Sequence, residues 1–178
     1  MSAEPLFANP SFRPATESDA GTLLAFMQDY YAFDGHVFHE QKARAALTTL
    51  LRDPSLGRVW LILATTKEVE KNRDAEIDDK TENAAPVGYI VLCFGYSLEW
   101  LGRDAFVDEF YLRPEFRGRG WGRKTMAFLE EAARSLNVTA LHLEVMQPNT
   151  TALQLYQKLG FKRHQSSFLS KWIAREFS

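Results

Sequence analysis

A turn rich in glycine and basic residues is the feature of this chain with the clearest chemistry. Its residues alternate between glycine and larger types: Arg117, Gly118, Arg119, Gly120, Trp121 and Gly122, then Arg123 and Lys124. An apolar segment ending at Leu112 precedes the turn, and an amphipathic segment follows it. A strand that passes through such a turn into a helix aims backbone N–H groups and the positive helix end at an anion. We therefore predict a phosphate-binding turn.

Two other phosphate-binding motifs do not fit this turn. A nucleoside-triphosphate loop needs glycine directly before its Lys-Thr pair, whereas Arg123 precedes Lys124 and Thr125 here. A dinucleotide fingerprint needs G-x-G-x-x-G in an early strand-helix-strand unit. The glycines here alternate strictly, and they lie two-thirds of the way along the chain.

Composition limits the class of protein. With 178 residues, 46% of them hydrophobic and 25% charged, the chain predicts one globular domain over residues 1–178. No apolar run approaches the ~18 residues of a membrane span, and the N-terminus does not resemble a signal peptide. We therefore expect a cytoplasmic protein without a membrane partner. The net charge of −2 argues against nucleic acid as a partner, and the four histidines show no metal-ligand spacing, so we predict no metal.

Hydrophobic periodicity predicts an α/β or mixed fold in which helices alternate with strands. Strands are predicted over residues 58–65, 86–94, 105–112, 140–145 and 168–173. Helices are predicted from the start signal at 16–19 to Gly35, and over 39–51, 123–136 and 150–159. Residues 66–85 hold eleven charged residues between Lys67 and Glu82, and we expect a mobile hairpin insertion there. The single cysteine, Cys93, lies in an apolar run and is expected in the core.

The turn resembles the acyl-coenzyme A site of the GNAT superfamily of N-acetyltransferases. Arg117, Gly120 and Gly122 match that family's pattern of Arg or Gln, two residues, Gly, one residue, and Gly or Ala. Two further blocks support the resemblance, one from Arg13 to Ala20 and one at Asn149, Ala152, Leu155, Tyr156, Gly160 and Phe161. The resemblance spans about residues 11–175, with 66–85 as an insertion.

The resemblance implies a mixed, mostly antiparallel sheet flanked by helices, with acetyl-CoA as the co-substrate. The pantetheine arm would lie between splayed strands 105–112 and 140–145 and would pair with the backbone near Tyr111 and Leu112. Residues 117–123 would bind the pyrophosphate, because glycine lets the backbone approach closely and arginine adds charge. Asn149 would contact the cofactor, cap a helix, or do both.

Amine acetylation moves two protons, and several residues are candidates to handle them. Tyr156 matches the family position for the acid that protonates the thiolate, and its ordinary pKa of ~10 keeps it protonated. Its alternative role is that of a core tyrosine. For the base we favour Glu109, then Glu144, then Asp108, with direct attack assisted by water as an alternative. Asp108 and Glu109 point to opposite sheet faces unless a bulge intervenes.

The resemblance places the acceptor near the first two helices and the segment before the catalytic strand. The candidate residues there are aromatic, acidic or histidine: Tyr31, Asp34, His36, Tyr96 and Glu99. They suit a small amine or a protein amino group, although core packing and a solvated loop explain the same composition. A homodimer also fits the family. Two alternative functions stay open, a CoA-binding module without catalysis and a transferase for longer acyl chains.

Overall fold

The computed structural model describes residues 9–65, 84–146 and 148–173. This part of the chain forms two compact units, one ending at Glu144 and the other beginning at Val145. Most of the predicted insertion, residues 66–83, lies outside the described residues. Ala84 and Ala85, which were predicted to belong to that insertion, instead begin a strand because they pair with Ala64 and Thr65.

The first unit is built on a five-stranded sheet. Its strands are β1 (Ser11–Pro14), β2 (Gly57–Thr65), β3 (Ala84–Ser97), β4 (Gly102–Leu112) and β5 (Ala140–Leu143). They lie side by side in chain order, antiparallel from β1 to β4, with β5 parallel to β4. The fold class is therefore α/β with a mixed, mostly antiparallel sheet, as predicted.

Helices cover both faces of this sheet. They are α1 (Ala20–Asp34), α2 (Glu40–Arg52) and α3 (Trp121–Ser135), with short 3₁₀ turns at Glu17–Asp19 and Pro114–Phe116. One core joins α1 and α2 to β2, β3 and β4, and its buried residues include Phe26, Leu47, Leu61, Tyr89 and Tyr111. On the opposite face, α3 buries a stripe that runs from Trp121 to Ala133. The periodicity that predicted these helices is thus the pattern of residues that meet the sheet.

The second unit contains one helix, α4 (Thr150–Lys158). Asn149 caps its start by accepting the Ala152 N–H at 3.1 Å. Its end is closed by Gly160, which has a φ of 95° and lets the Phe161 N–H reach the Tyr156 carbonyl at 3.0 Å. The predicted strand over residues 168–173 is wrong, since this segment has no regular secondary structure and its large apolar side chains are exposed. A short run rich in aromatic and aliphatic residues does not make a strand unless a neighbouring strand pairs with its backbone.

Candidate active site

The glycine turn has the geometry of an anion site. Gly118 and Gly120 have φ values of 72° and 79°, in the left-handed region that favours glycine. Helix α3 begins at Trp121, and its first backbone bond runs from the Lys124 N–H to the Gly120 carbonyl. The N–H groups of residues 121–123 precede that bond and are oriented along the helix axis towards its N-terminus. A β-carbon added at Gly118 or Gly120 would meet no protein atom within 4 Å, so the turn is open on that side.

The larger side chains of the turn are held in different ways. Trp121 is buried, with its ring 5.0 Å from the ring of Phe116, so its side chain anchors the helix. Lys124 donates a hydrogen bond to Asn9. Arg119 is half-buried, whereas Arg123 is exposed at the helix start. The turn therefore presents its backbone N–H groups and an exposed cation together, which is what a pyrophosphate requires.

Arg117 is committed to the end of β4. Its Nε donates to the Leu112 carbonyl at 2.8 Å, and its guanidinium lies 4.9 Å from the ring centre of Phe33 and 5.5 Å from that of Tyr111. The hydroxyl of Tyr111 in turn donates to Asp29 on α1 at 3.2 Å. These contacts fix the turn to the strand that leads into it.

Strands β4 and β5 separate where the cofactor arm is expected. Their parallel pairing runs from Asp104 with Ala140 to Val107 with Leu143, and β4 then continues to Leu112. Among the described strands, none pairs with that last part of β4 on the β5 side.

The backbone direction at this open edge follows from the pairing with β3. Arg113 donates its N–H to the Val87 carbonyl of β3 at 2.9 Å. Since antiparallel strands alternate the direction of their backbone groups, Phe110 and Leu112 direct theirs towards the open edge. Tyr111 directs its own towards β3. Of the two residues predicted to pair with a pantetheine arm, Leu112 directs its backbone groups to the open edge and Tyr111 does not.

A bulge in β4 turns two adjacent carboxylates onto the same sheet face. Val91 pairs with Glu109 and Leu92 pairs with Val107, which leaves Asp108 as an extra residue in β4. Glu109 accordingly reaches Tyr89 in the core beneath α1 and α2, and Asp108 hydrogen-bonds Cys93 at the border of that core. The sequence predicted that these two carboxylates would point to opposite faces unless a bulge intervened, and the bulge is present.

Glu109 is the buried carboxylate of the pair, with 9% of its surface exposed. Its Oε2 accepts the Tyr89 hydroxyl at 2.6 Å, and the Tyr31 hydroxyl from α1 provides a second hydrogen bond. Burial raises the Glu109 pKa to about 7, helped by the negative charge of Asp108, although the two tyrosine hydroxyls oppose the rise. A carboxyl with this pKa exchanges protons readily near neutral pH.

Asp108 and Cys93 form a second polar pair beside Glu109. Asp108 is exposed as a residue, yet the protein atoms around its carboxyl raise its pKa by desolvation, against the effect of the Cys93 hydrogen bond. The Cys93 pKa is raised to about 11 by its own desolvation and by the two carboxylates. The thiol therefore stays protonated, which excludes a thiolate nucleophile at neutral pH.

The remaining predicted residues are distributed over several elements. Glu144 is exposed directly after β5. Tyr96 is exposed near the end of β3, and Glu99 is exposed in the turn that follows. His36 follows α1, with its ring 6.2 Å from that of Tyr31. Asp34 is the last residue of α1.

Tyr156 lies on α4 in the second unit. It is half-buried with its ring 5.8 Å from that of Phe161, and desolvation raises its pKa. The hydroxyl consequently stays protonated at neutral pH, as a proton donor must. Asn149 acts as the helix cap, one of the two roles predicted for it.

Sequence reasoning missed Tyr89, which contacts Glu109 directly. As an aromatic residue in an apolar strand it resembles a core residue, and it is indeed 1% exposed. The signal that could have identified it is hairpin register, since Tyr89 and Glu109 lie on paired strands and on one face. Among the described residues, no three histidine, cysteine or acidic side chains cluster as metal ligands, and no helix has the length and apolar character to cross a membrane.

An open glycine turn, a separated strand pair and a buried carboxylate are the features expected of an acyl-CoA-dependent transferase. Residues 25–161 match the model of the Acetyltransferase (GNAT) family, and the chain belongs to that family. It is an acetyl-CoA-dependent N-acetyltransferase.

Several relatives share most of their length with this chain. A thialysine N-epsilon-acetyltransferase of Bos taurus is 38% identical over 148 residues, which cover 83% of this chain and 81% of that protein. A protein of the same name from Sus scrofa is 34% identical, over 86% of this chain and 84% of that protein. The solved integron cassette protein from Cole Harbour Salt Marsh is 31% identical, with a TM-score of 0.70 over 92% of this chain and 90% of the other.

A predicted acetyltransferase from Clostridium acetobutylicum, solved with acetyl-CoA, shares the fold. Its TM-score is 0.67 at 14% identity, over 91% of this chain and 96% of the other.

Proposed function

We propose that the chain transfers the acetyl group of acetyl-CoA to a primary amine by direct attack in a ternary complex. Glu109 is the general base and Tyr156 the general acid. The observation that carries the proposal is the buried Glu109 carboxylate, whose pKa is about 7, on the strand that borders the open edge. Acetyl-CoA supplies the acetyl group as a thioester, and side chains of the protein handle the two protons.

The first proton belongs to the acceptor. An alkyl ammonium with a pKa of ~10.4 is mostly charged at pH 7, and deprotonating it costs about 4–5 kcal/mol. Glu109 accepts this proton directly or through a water molecule. Asp108, on the same sheet face, adds a negative charge that attracts the ammonium before it is deprotonated. Glu144 is the second candidate for the base.

The second proton goes to the sulfur of coenzyme A as the thioester bond breaks. Tyr156 donates it, which is consistent with the raised pKa of its half-buried hydroxyl. Acetyl-CoA, the acetyl donor, is bound by three groups. They are the N–H groups of residues 118–123, the cations of Arg119 and Arg123, and the backbone of Phe110 and Leu112. Arg117 supports this site by joining the turn to β4.

The acceptor is an amine at the end of a lysine-like side chain, either as a small molecule or on a protein. The names of the bovine and porcine relatives support this class. The adjacent carboxylates Asp108 and Glu109 and the aromatic ring of Tyr31 also suit a cationic amine.

The test is release of free thiol when the purified protein is mixed with acetyl-CoA and thialysine, lysine or a simple diamine. Turnover is expected with at least one of them. Glu109→Gln should lower kcat by about 100-fold or more, as expected for removal of a general base. Glu130→Gln is the matched control, because it removes an exposed carboxylate of α3 that pairs with Arg134.

A second comparison separates catalysis from donor binding. Tyr156→Phe should reduce turnover sharply while acetyl-CoA still raises the melting temperature. Competition with propionyl-CoA and succinyl-CoA measures the acyl preference. A thermal shift by acetyl-CoA without turnover on any amine would favour a CoA-binding module instead. The absence of both a thermal shift and turnover would contradict the proposal altogether.

A further inference from the structure

The side chain of Tyr89 is held in one position beside Glu109. The tyrosine is 1% exposed, and its ring lies 6.2 Å from that of Phe26, nearly parallel to it, and 6.3 Å from that of Tyr111. Its hydroxyl is 2.6 Å from Glu109 Oε2. The Phe26 and Tyr111 rings, which also contact each other at 5.6 Å, pack against the buried Tyr89 ring and leave it little freedom, so the position of its hydroxyl is determined by the fold.

The hydroxyl is a permanent donor. Burial raises the Tyr89 pKa well above its ordinary value, and the charge of Glu109 adds to the rise. The phenol therefore stays protonated across the pH range of an enzyme assay. Since the Tyr89 hydroxyl already donates to Oε2, the Glu109 carboxylate accepts a further proton chiefly at Oε1.

We propose that Tyr89 is a positioning residue for Glu109: it holds Oε2 and thereby orients the carboxylate so that Oε1 receives the proton of the acceptor amine. The inference rests on the proposed role of Glu109 as the base. Because Tyr89 is 1% exposed and its hydroxyl is bound to Glu109, its role in the reaction is exerted through Glu109.

Several other groups face the same carboxylate. Tyr31 on α1 donates a hydrogen bond to it, and the charge of Asp108 in the bulge repels it. Cys93 on β3 forms its hydrogen bond with Asp108 rather than with Glu109. Of the hydrogen bonds that stabilise the ionised form of Glu109, the one from the Tyr89 hydroxyl lowers its pKa most. Losing it should therefore move the titration of Glu109 more than losing the Tyr31 hydroxyl.

The experiment is the pH profile of kcat/KM for the wild type, Tyr89→Phe and Tyr31→Phe. In the wild type, activity should rise with a midpoint near pH 7, where Glu109 ionises. Because the Tyr89 bond lowers that pKa, Tyr89→Phe should move the midpoint upward by about one unit. Activity should then fall about fivefold at pH 7 and return to the wild-type value near pH 9.5. Tyr31→Phe should give a smaller shift in the same direction.

Thr49→Val is the control, because it removes an exposed hydroxyl that donates to the Ala45 carbonyl of α2 at 3.0 Å, and this hydroxyl does not contact Glu109. Its midpoint should equal that of the wild type. A loss of activity in Tyr89→Phe that is equal at every pH would indicate a structural role and overturn the proposal. An unchanged midpoint in Tyr89→Phe would overturn it as well, whatever Tyr31→Phe shows.

A direct titration keeps this result separate from the identity of the base. The carboxyl carbon of Glu109, followed by ¹³C NMR, should titrate about one unit higher in Tyr89→Phe than in the wild type. If Glu109→Gln retains wild-type kcat, the base assignment fails even though the titration shifts. If Glu109→Gln is inactive and the titration does not shift, the positioning role fails and the base assignment stands.

Discussion

Replacing Glu109 with glutamine removes a carboxylate that the folded protein ionises only at a cost. Its pKa rises from 4.5 to about 7 because the carboxyl is buried. The unfolded chain loses this proton near pH 4.5, whereas the folded protein holds it until about pH 7. Between those values the folded state binds more protons, so the free energy of unfolding decreases as pH rises.

The size of the effect follows from the two pKa values. At about 1.4 kcal/mol per pH unit, the raised pKa of Glu109 lowers the free energy of unfolding by roughly 3 kcal/mol at pH 8 and by roughly 1.4 kcal/mol at pH 5.5. The stability of Glu109→Gln relative to the wild type should therefore increase by about 2 kcal/mol between pH 5.5 and pH 8. In melting temperature this is about 4–8 °C for a chain of this size. Any packing change in the variant is the same at both pH values and cancels.

The assay is urea or thermal unfolding of the two proteins at pH 5.5 and pH 8. Glu130→Gln, which alters an exposed carboxylate of α3, should show no comparable dependence on pH. The variant that gains stability at pH 8 should also be the one that loses turnover, since the same carboxylate serves the reaction. A stability difference between Glu109→Gln and wild type that does not change with pH would refute the reasoning.

Three further changes test the framework around the site. Gly88→Ala should destabilise the protein by about 3 kcal/mol or more in urea unfolding, because its β-carbon would lie 2.2 Å from the Tyr111 carbonyl oxygen; a loss below 1 kcal/mol would contradict that packing. Gly120→Ala should cost about 1 kcal/mol through its positive φ, and calorimetry should show weaker acetyl-CoA binding. Asp19→Asn should cost about 1–2 kcal/mol at pH 7, because the Arg13 hydrogen bond lowers the Asp19 pKa to about 2. That loss should shrink as the wild type is acidified from pH 4 towards pH 2, because Asp19 becomes protonated as the pH approaches its pKa in the folded state.

Most element positions could be predicted from local patterns. The apolar stripe of α3, the left-handed Gly35 that ends α1 and the Asn149 cap of α4 are each determined by a few neighbouring residues. The glycine turn is equally local, because positive φ and free N–H groups at a helix start depend on residue type and spacing. These features lie on single segments, and the sequence displays them directly.

The predicted strand over residues 168–173, which is not formed, shows what local patterns cannot predict. A short segment rich in aromatic and aliphatic residues has the composition of a strand, but pairing needs a partner elsewhere in the chain. Arg117 shows the same limit at the site. Its type predicts contact with phosphate, and that stays a prediction; the contact of its Nε with the Leu112 carbonyl depends on how the turn folds back on β4 and could not be predicted from residue type.

The amino-acid sequence by itself determined the donor, since an arginine- and glycine-rich turn between a strand and a helix, with the later Asn149 to Phe161 block, specifies an acyl-CoA site. Only the tertiary structure decided how the two adjacent carboxylates differ. The bulge at Asp108 depends on register with β3, and the pKa of Glu109 depends on burial and on Tyr89, twenty residues away. A residue's charge state is set by the groups packed around it, and that packing arises from contacts between distant segments.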